Sequence, residues 1–161
     1  MRLYTVLIIF LFALFHFALY GCAKEAPFSI QVMPAILVED PQQPPTNGWI
    51  RVEFAGASQT GPSLYDVAPD TLLTEWNIIA FKAASPNDST HSVVIRLNAY
   101  SQQKMEKFST EAGNLKKPLA VRIDGRWADF MPLLDRVTDR ITLSGFMARD
   151  LIRLEAYIAA K

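Results

Sequence analysis

The chain has 161 residues, 16 Lys+Arg against 16 Asp+Glu, one cysteine and two histidines. With charges balanced there is no surplus of base to hold a nucleic-acid backbone, and one cysteine excludes a disulfide framework and a Cys-rich zinc site. Seventeen of the first twenty residues are hydrophobic, interrupted only by Arg2, Thr5 and His16. No later run approaches the ~20 apolar residues a membrane helix needs, which excludes a multi-span transporter.

Arg2 gives the leader a thin positive start, residues 6–20 form its apolar body, and Leu19-Tyr20-Gly21-Cys22 closes it. An apolar run ending in a small residue is a cleavage signal. These four residues resemble a bacterial lipobox, with leucine at −3, glycine at −1 and the only cysteine at +1, although Tyr20 is larger than the usual −2 residue. The resemblance implies diacylglycerol on Cys22, cleavage before it and acylation of the freed amine, and several acyl chains together give stable anchoring. The alternative is an uncleaved N-terminal anchor helix. Either way the remaining chain is tethered to a membrane and faces outward into the cell envelope. In a cell with two membranes, the lack of Asp after Cys22 favours the outer one. Setting residues 1–21 aside leaves 140, the usual size of one domain, with one more acid than base. Residues 22–27 form a short tether. The five residues after Cys22 span at most about 17 Å, so the domain sits close to the bilayer.

In the mature chain, residues 28–38 are apolar and extended, with a bend at Pro34. Residues 39–48, with Pro41, Pro44, Pro45 and Asn47-Gly48, read as a loop. Residues 49–54 alternate, with Ile50, Val52 and Phe54 on one side and Trp49, Arg51 and Glu53 on the other, as in a half-buried strand. After turn chemistry at 55–62, residues 63–67 suit a short strand. Asp70 is placed to cap a brief helix over 71–76. Residues 77–84 are apolar and extended but for Lys82, and 85–89 read as a loop.

Residues 92–97 form a strand with Val93, Ile95 and Leu97 inward. Asn98 caps a helix over about 99–112 that carries Met105, Phe108 and Ala112 on one stripe and ends at Gly113. A strand over 119–123 points Leu119, Val121 and Ile123 inward, Asp124-Gly125 is a tight turn, and 126–130 are extended. Pro132 interrupts, and Leu133-Leu134 belong to a loop. Residues 140–144 form the last strand, closed by Gly145, and a helix over 147–160 places Met147, Leu151, Leu154 and Ile158 on one stripe. Alternating strands with single-striped helices predict one α+β domain over 28–161. Its sheet is antiparallel or mixed, with two main helices packed on the face bearing Val93, Val121 and Ile141.

Chemistry-bearing residues are sparse. His91 is the only histidine outside the leader, with no second histidine or free thiol to join it, and reads as a surface residue. Asp66, Asp70 and Glu75 fall near one short helix and Asp135 and Asp139 near one loop. Neither set shows the opposed environments an acid–base pair needs. Ser144 before Gly145 stands outside a Gly-x-Ser-x-Gly elbow, and Gly56 and Gly61 miss dinucleotide spacing. Trp49, Trp76 and Trp127 suit core or rim packing, and Arg149 and Arg153 with Asp150 between them suit the solvent side of the last helix. No catalytic residue, cofactor, metal or small-molecule substrate is expected, so the chain reads as a non-enzyme. One pattern is less bland: Arg51, Arg96, Arg122 and Arg140 each take the outward position of a strand. If those strands neighbour one another, the open face carries a guanidinium cluster. Such a face is either an ordinary solvated sheet or a docking surface for an acidic or extended partner.

Val93-Val94-Ile95-Arg96-Leu97, a helix with Phe108-Ser109-Thr110, then Lys117-Pro118-Leu119-Ala120-Val121-Arg122-Ile123-Asp124-Gly125 occur in that order. Ile141-Thr142-Leu143-Ser144-Gly145-Phe146 and a final helix follow. The succession resembles the periplasmic head of the first large loop of SecD, the protein-export accessory subunit, over about residues 60–158. It departs from that family in having no membrane helices after the leader and one extra residue between Asp124-Gly125 and Pro132. The resemblance implies a fold and points toward exported or envelope proteins as partners; a stand-alone head could not transduce a proton gradient. The expected function is a lipid-anchored envelope lipoprotein acting as a protein-binding module accessory to export. The alternative is an interaction or structural lipoprotein unrelated to export, and a hydrolase is a distant third.

Overall fold

Nine strands, two helices and one 3-10 turn make up the computed structural model, which describes residues 27–56, 61–87 and 90–161. The leader and Cys22 lie outside the described residues. β1 (Ile30–Leu37), β2 (Ile50–Phe54), β3 (Ser63–Val67), β4 (Leu73–Thr74), β7 (Pro118–Ile123) and β8 (Arg126–Pro132) form one curled sheet in the order β2-β3-β1-β7-β8, with β4 also beside β1. β5 (Ile78–Asn87), β6 (Thr90–Leu97) and β9 (Arg140–Phe146) form a second sheet, β5-β6-β9. Every paired strand is antiparallel. The molecule is thus a single α+β domain with two helices, α1 (Ala99–Thr110) and α2 (Ala148–Ala159), as expected, with its strands divided between two sheets.

The central strand contains a proline because of where its neighbours change. β1 pairs with β7 from Ile30 to Pro34, with β4 at Gln31 and Val32, and with β3 only from Ala35 onward. The Pro34 carbonyl accepts from Ala68 N at 2.9 Å. The nitrogen of a strand residue points to the same side as its own carbonyl, so the missing N–H falls in the gap between the β4 and β3 ladders. The strand therefore continues through Pro34 and changes partner there.

The larger core lies between the two sheets and the helices. Ile30 and Val32 of β1, Val93, Ile95 and Leu97 of β6, Leu119, Val121 and Ile123 of β7, and Ile141 and Leu143 of β9 meet Met105 of α1 and Leu154 of α2 in it. These are the residues whose period-2 and period-3.6 patterns predict inward faces. The concave curl of the first sheet holds a second cluster, in which Met33, Ala35, Val52, Tyr65, Val67, Ala120 and Phe130 are buried. Phe130 anchors it, stacked on Tyr65 with centroids 4.1 Å apart. β1 and β7 are thus buried on both faces.

Asn98 caps α1 as expected, its side-chain oxygen accepting from Ser101 N at 2.9 Å. α1 stops at Thr110, leaving Ala112 exposed, and Gly113 takes a φ of +83° three residues on. The buried Ser109 hydroxyl accepts from Val137 N at 3.1 Å, pinning the 133–139 loop under the helix. Asp124-Gly125 is a two-residue turn with both φ positive, the geometry such a hairpin favours.

Three local expectations are corrected. No helix forms over 71–76; Leu73 and Thr74 pair with β1, and a 3-10 turn, Glu75–Asn77, follows. Leu72 and Leu73 are both buried, and docking against Val32 and Gln31 outweighs the capping signal at Asp70, which is exposed. Residues 85–87 of the expected 85–89 loop belong instead to β5, which runs to Asn87, paired with Thr90; residues 88 and 89 lie outside the described residues. β9 does not end at Gly145 but continues to Phe146, which pairs with His91.

Both Gly145 and Ala128 sit at β-bulges. Ser144 and Gly145 face Ser92 alone between the Val93–Leu143 and His91–Phe146 pairs. Ala128 is the unpaired residue between Val121–Asp129 and Arg122–Trp127. A side chain on Gly145 would meet the Ala128 carbonyl, so the two bulges abut at the seam where β8 and β9 approach.

Candidate functional site

The open face of the second sheet carries three cations close together, Lys82, Arg96 and Arg140. Alternation sends Val93, Ile95 and Leu97 into the core and turns Val94 and Arg96 of β6 outward. Ala80 lies beside Arg96, Lys82 beside Val94, and Thr142 beside Val94 on the other flank. Arg96 and Arg140 are direct cross-strand partners. A groove of about 330 Å³ runs over this face, lined by Ala80, Phe81, Lys82, Val94, Arg96 and Arg140. Its floor is apolar and its walls are basic.

Like charges directly opposite one another on a sheet are destabilising, so the Arg96–Arg140 pair is not explained by stability. Arg140 is partly compensated by its neighbour Asp139, whose carboxylate accepts from Nε at 3.2 Å. Arg96 and Lys82 have no ion-pair or hydrogen-bond partner among the described residues. The arrangement suits an anionic group lying across the sheet with apolar atoms beneath it.

The four sequence-singled arginines do not share this face. Arg51, on β2, is held in a two-pronged contact by the buried Asp66, with Nε to Oδ1 at 2.9 Å and Nη2 to Oδ2 at 3.1 Å. Its remaining Nη1 reaches the Pro41 carbonyl at 3.0 Å, and the Asp66 contact raises its pKa further. Arg122, on β7, lies over the Trp127 ring at 5.4 Å and donates to the Gly125 carbonyl at 3.1 Å. Both are absorbed by the first sheet: outward position along a strand says nothing of which sheet the strand joins. Lys82 was visible in sequence only as the one break in an apolar stretch.

Asp150 is buried at 2% exposure, not on the solvent side of α2. Its Oδ2 accepts from Met147 N at 2.8 Å and from Arg126 Nη2 at 2.7 Å. It closes the helix N-terminus and ties it to β8. Arg153 pairs with Asp124 and lies 5.8 Å over the Phe28 ring, while Arg149 stays exposed. Of the tryptophans, Trp127 packs against the second cluster, Trp49 is half-buried and Trp76 is 69% exposed. His91 is half-buried on β6. Ser144 Oγ lies 3.3 Å from Ser92 Oγ, on the same sheet.

Among the carboxylates, Asp66 belongs to β3 and to Arg51, Glu75 accepts from Ile30 N at 3.2 Å, and Asp135 is exposed. Asp129, which nothing in the sequence singled out, is half-buried and accepts from Phe130 N at 2.8 Å. Desolvation raises its pKa against the smaller lowering effect of that bond. The raised value means folding is favoured with Asp129 protonated. Its stability contribution is full below the ordinary carboxylate range and is lost as pH rises through the folded-state value. Asp129→Asn, which keeps the acceptor, is expected to raise the urea midpoint at neutral pH. The gain should shrink to nothing as the solution is acidified below the carboxylate range. An equal gain at both pH values would locate the effect elsewhere than in the charge.

No protein-family model matches the chain, and no curated protein matches its sequence. Among solved structures, it is similar to one described as "Structure and function of a membrane component SecDF that enhances protein export", with a TM-score of 0.51 at 13% identity, covering 82% of this chain and 62% of that one. A second, "Crystal structure of SecDF in Super-membrane-facing form", aligns with a TM-score of 0.49 at 14% identity, over 81% of this chain and 18% of that one. The first likeness shows a SecD-like fold. This chain spans less than two thirds of the length of either structure, and no helix among the described residues is long and apolar enough to cross a membrane.

Proposed function

We propose that the chain is an envelope lipoprotein, anchored through Cys22, whose domain is a non-catalytic protein-binding module serving protein export. Its docking surface is the open face of the second sheet. The observation that carries this reading is the Arg96–Arg140 pair, set directly opposite one another beside Lys82 over an apolar floor. The partner is an acidic, extended segment of an exported or envelope protein, laid across the strands with carboxylates at the arginines and apolar side chains on Val94 and Ala80. The direction toward export is supported by the likeness of fold to a membrane component described as enhancing protein export.

The test is in-cell crosslinking of the tagged lipoprotein, with mass spectrometry of captured proteins, for the wild type and for Arg96→Gln/Arg140→Gln. Charge-assisted hydrogen bonds contribute about 1.5–3 kcal/mol each, so the double variant should lose capture by at least about tenfold. Its denaturation midpoint should hold or rise slightly as the like-charge pair is relieved. Translocon subunits or nascent exported chains lost in the variant would establish the export role. Unrelated envelope proteins alone, lost in the variant, would keep the docking face and remove export. Capture unchanged by the double variant would remove the docking face.

A further inference from the structure

The tether enters the domain at a rigid point. Phe28 is 7% exposed, 6.2 Å from the Tyr157 ring and beneath the Arg153 guanidinium. Ser29 N donates to Asp124 Oδ1 at 2.9 Å and the Ser29 carbonyl accepts from Asp124 N at 2.9 Å, locking the entry to the β7–β8 turn. Around this point lies a band that the fold leaves uncovered. α2 exposes Arg149, Ile152 and Ala156 here, with Arg153 and Tyr157 half-buried beside them, and Ile152 is 68% exposed. Trp76, 69% exposed, stands edge-on to Tyr157 at 6.1 Å. Lys161 Nζ, donating to the carbonyls of Glu75, Trp76 and Ile78, covers both rings at 5.8 and 4.8 Å.

We infer that this band, centred on Trp76 and Ile152, rests in the interfacial layer of the membrane to which the chain is anchored. The inference rests on the proposed Cys22 anchor and concerns which side of the domain the anchor brings to the lipid. A domain of this size is roughly 35 Å across, whereas the five residues after Cys22 reach at most about 17 Å. A short tether leaving from a fixed point cannot turn the opposite side to the bilayer, so the face around Phe28 is held there. Tethering makes contact an intramolecular event, in which even shallow insertion persists. The composition suits that layer: an indole and an isoleucine at the surface, with the exposed Arg149 side chain able to reach the headgroups. The helix axis would lie along the membrane plane, as in interfacial helices. Asp124, Glu155 and Glu75 face or flank the band and offset Arg149, Arg153 and Lys161, so insertion of Trp76 and Ile152, not attraction to anionic lipid, drives the contact. The groove over Arg96 and Arg140 is on another surface and stays open to partners.

Because Cys22 carries lipid in the anchored protein, a new cysteine is the only thiol available to a nitroxide label. Trp76→Cys, Ile152→Cys and, as control, Leu134→Cys would be labelled in the full chain, purified from membranes and reconstituted in phosphatidylcholine vesicles. Leu134 is equally exposed at 69% but follows the end of β8 remote from the Asp124-Gly125 turn. The expected result is severalfold lower collision with a water-soluble relaxant, and higher collision with oxygen, at 76 and 152 than at 134. Vesicle-bound protein whose three labels are equally accessible to the aqueous relaxant would overturn this inference and leave the anchor standing. Protein that does not float with the vesicles would overturn both.

Discussion

Gly145→Ala is expected to lower the stability of the domain by about 3–5 kcal/mol and its melting temperature by roughly 10 °C. Two costs add. Gly145 sits at φ +86°, where an L-residue is strained by about 1–2 kcal/mol, and the added methyl meets the Ala128 backbone carbonyl. Backbone cannot rotate aside as a side chain would, so one of the two abutting bulges must shift. Such a shift disturbs the seam between the sheets, where Arg126 Nη2 also reaches the Gly145 carbonyl at 3.3 Å. Gly61→Ala is the control, since nothing lies within 4 Å of its added methyl and the position carries no positive φ; it should change stability by less than about 0.5 kcal/mol. Urea denaturation of both variants decides the matter. A loss under about 1 kcal/mol for Gly145→Ala would mean that the seam relaxes and that the two bulges are not mutually required.

Asp150→Ala should cost about 2–3 kcal/mol. The substitution removes the acceptor of Met147 N and the partner of Arg126 at one stroke. Breaking a fully buried ion pair costs about 3–5 kcal/mol, but the Arg126 side chain remains 30% exposed and finds water, which reduces the penalty. Asp150→Asn, keeping an acceptor for Met147 N, should lose roughly half as much. Hydrogen exchange would show the loss concentrated in the first turn of α2. Uniform loss across the domain, with the first turn still protected, would mean that Met147 is capped by another group.

Much of the architecture was legible because it rests on local periodicity. Strands β6, β7 and β9 and helices α1 and α2 emerge from patterns of two and of about 3.6, which follow from where successive Cβ atoms point. Asn98 as a cap and Asp124-Gly125 as a turn are equally local, set by a side-chain acceptor and by positive φ. The misses share a different origin. Residues 71–76 carry a helix-start signal, yet Leu72 and Leu73 are drawn to β1. Pro34 suggests a bend, yet it marks a change of strand partner. Asp150 lies between two arginines in sequence and reads as solvated, yet Arg126 and the helix end bury it.

The candidate site divides along the same line. Alternation alone puts each of Arg51, Arg96, Arg122 and Arg140 on the outer side of its own strand, and the lipobox-like Leu19-Tyr20-Gly21-Cys22 is read from the sequence alone. Only the tertiary structure decided that Arg96 meets Arg140, that Lys82 joins them, and that Arg51 and Arg122 are taken up by Asp66 and Trp127. The reason is physical. A side chain's direction along a strand is a property of neighbouring backbone dihedrals. Its companions across the sheet depend on which distant strand edges find one another, and long-range packing of the whole core chooses among those pairings.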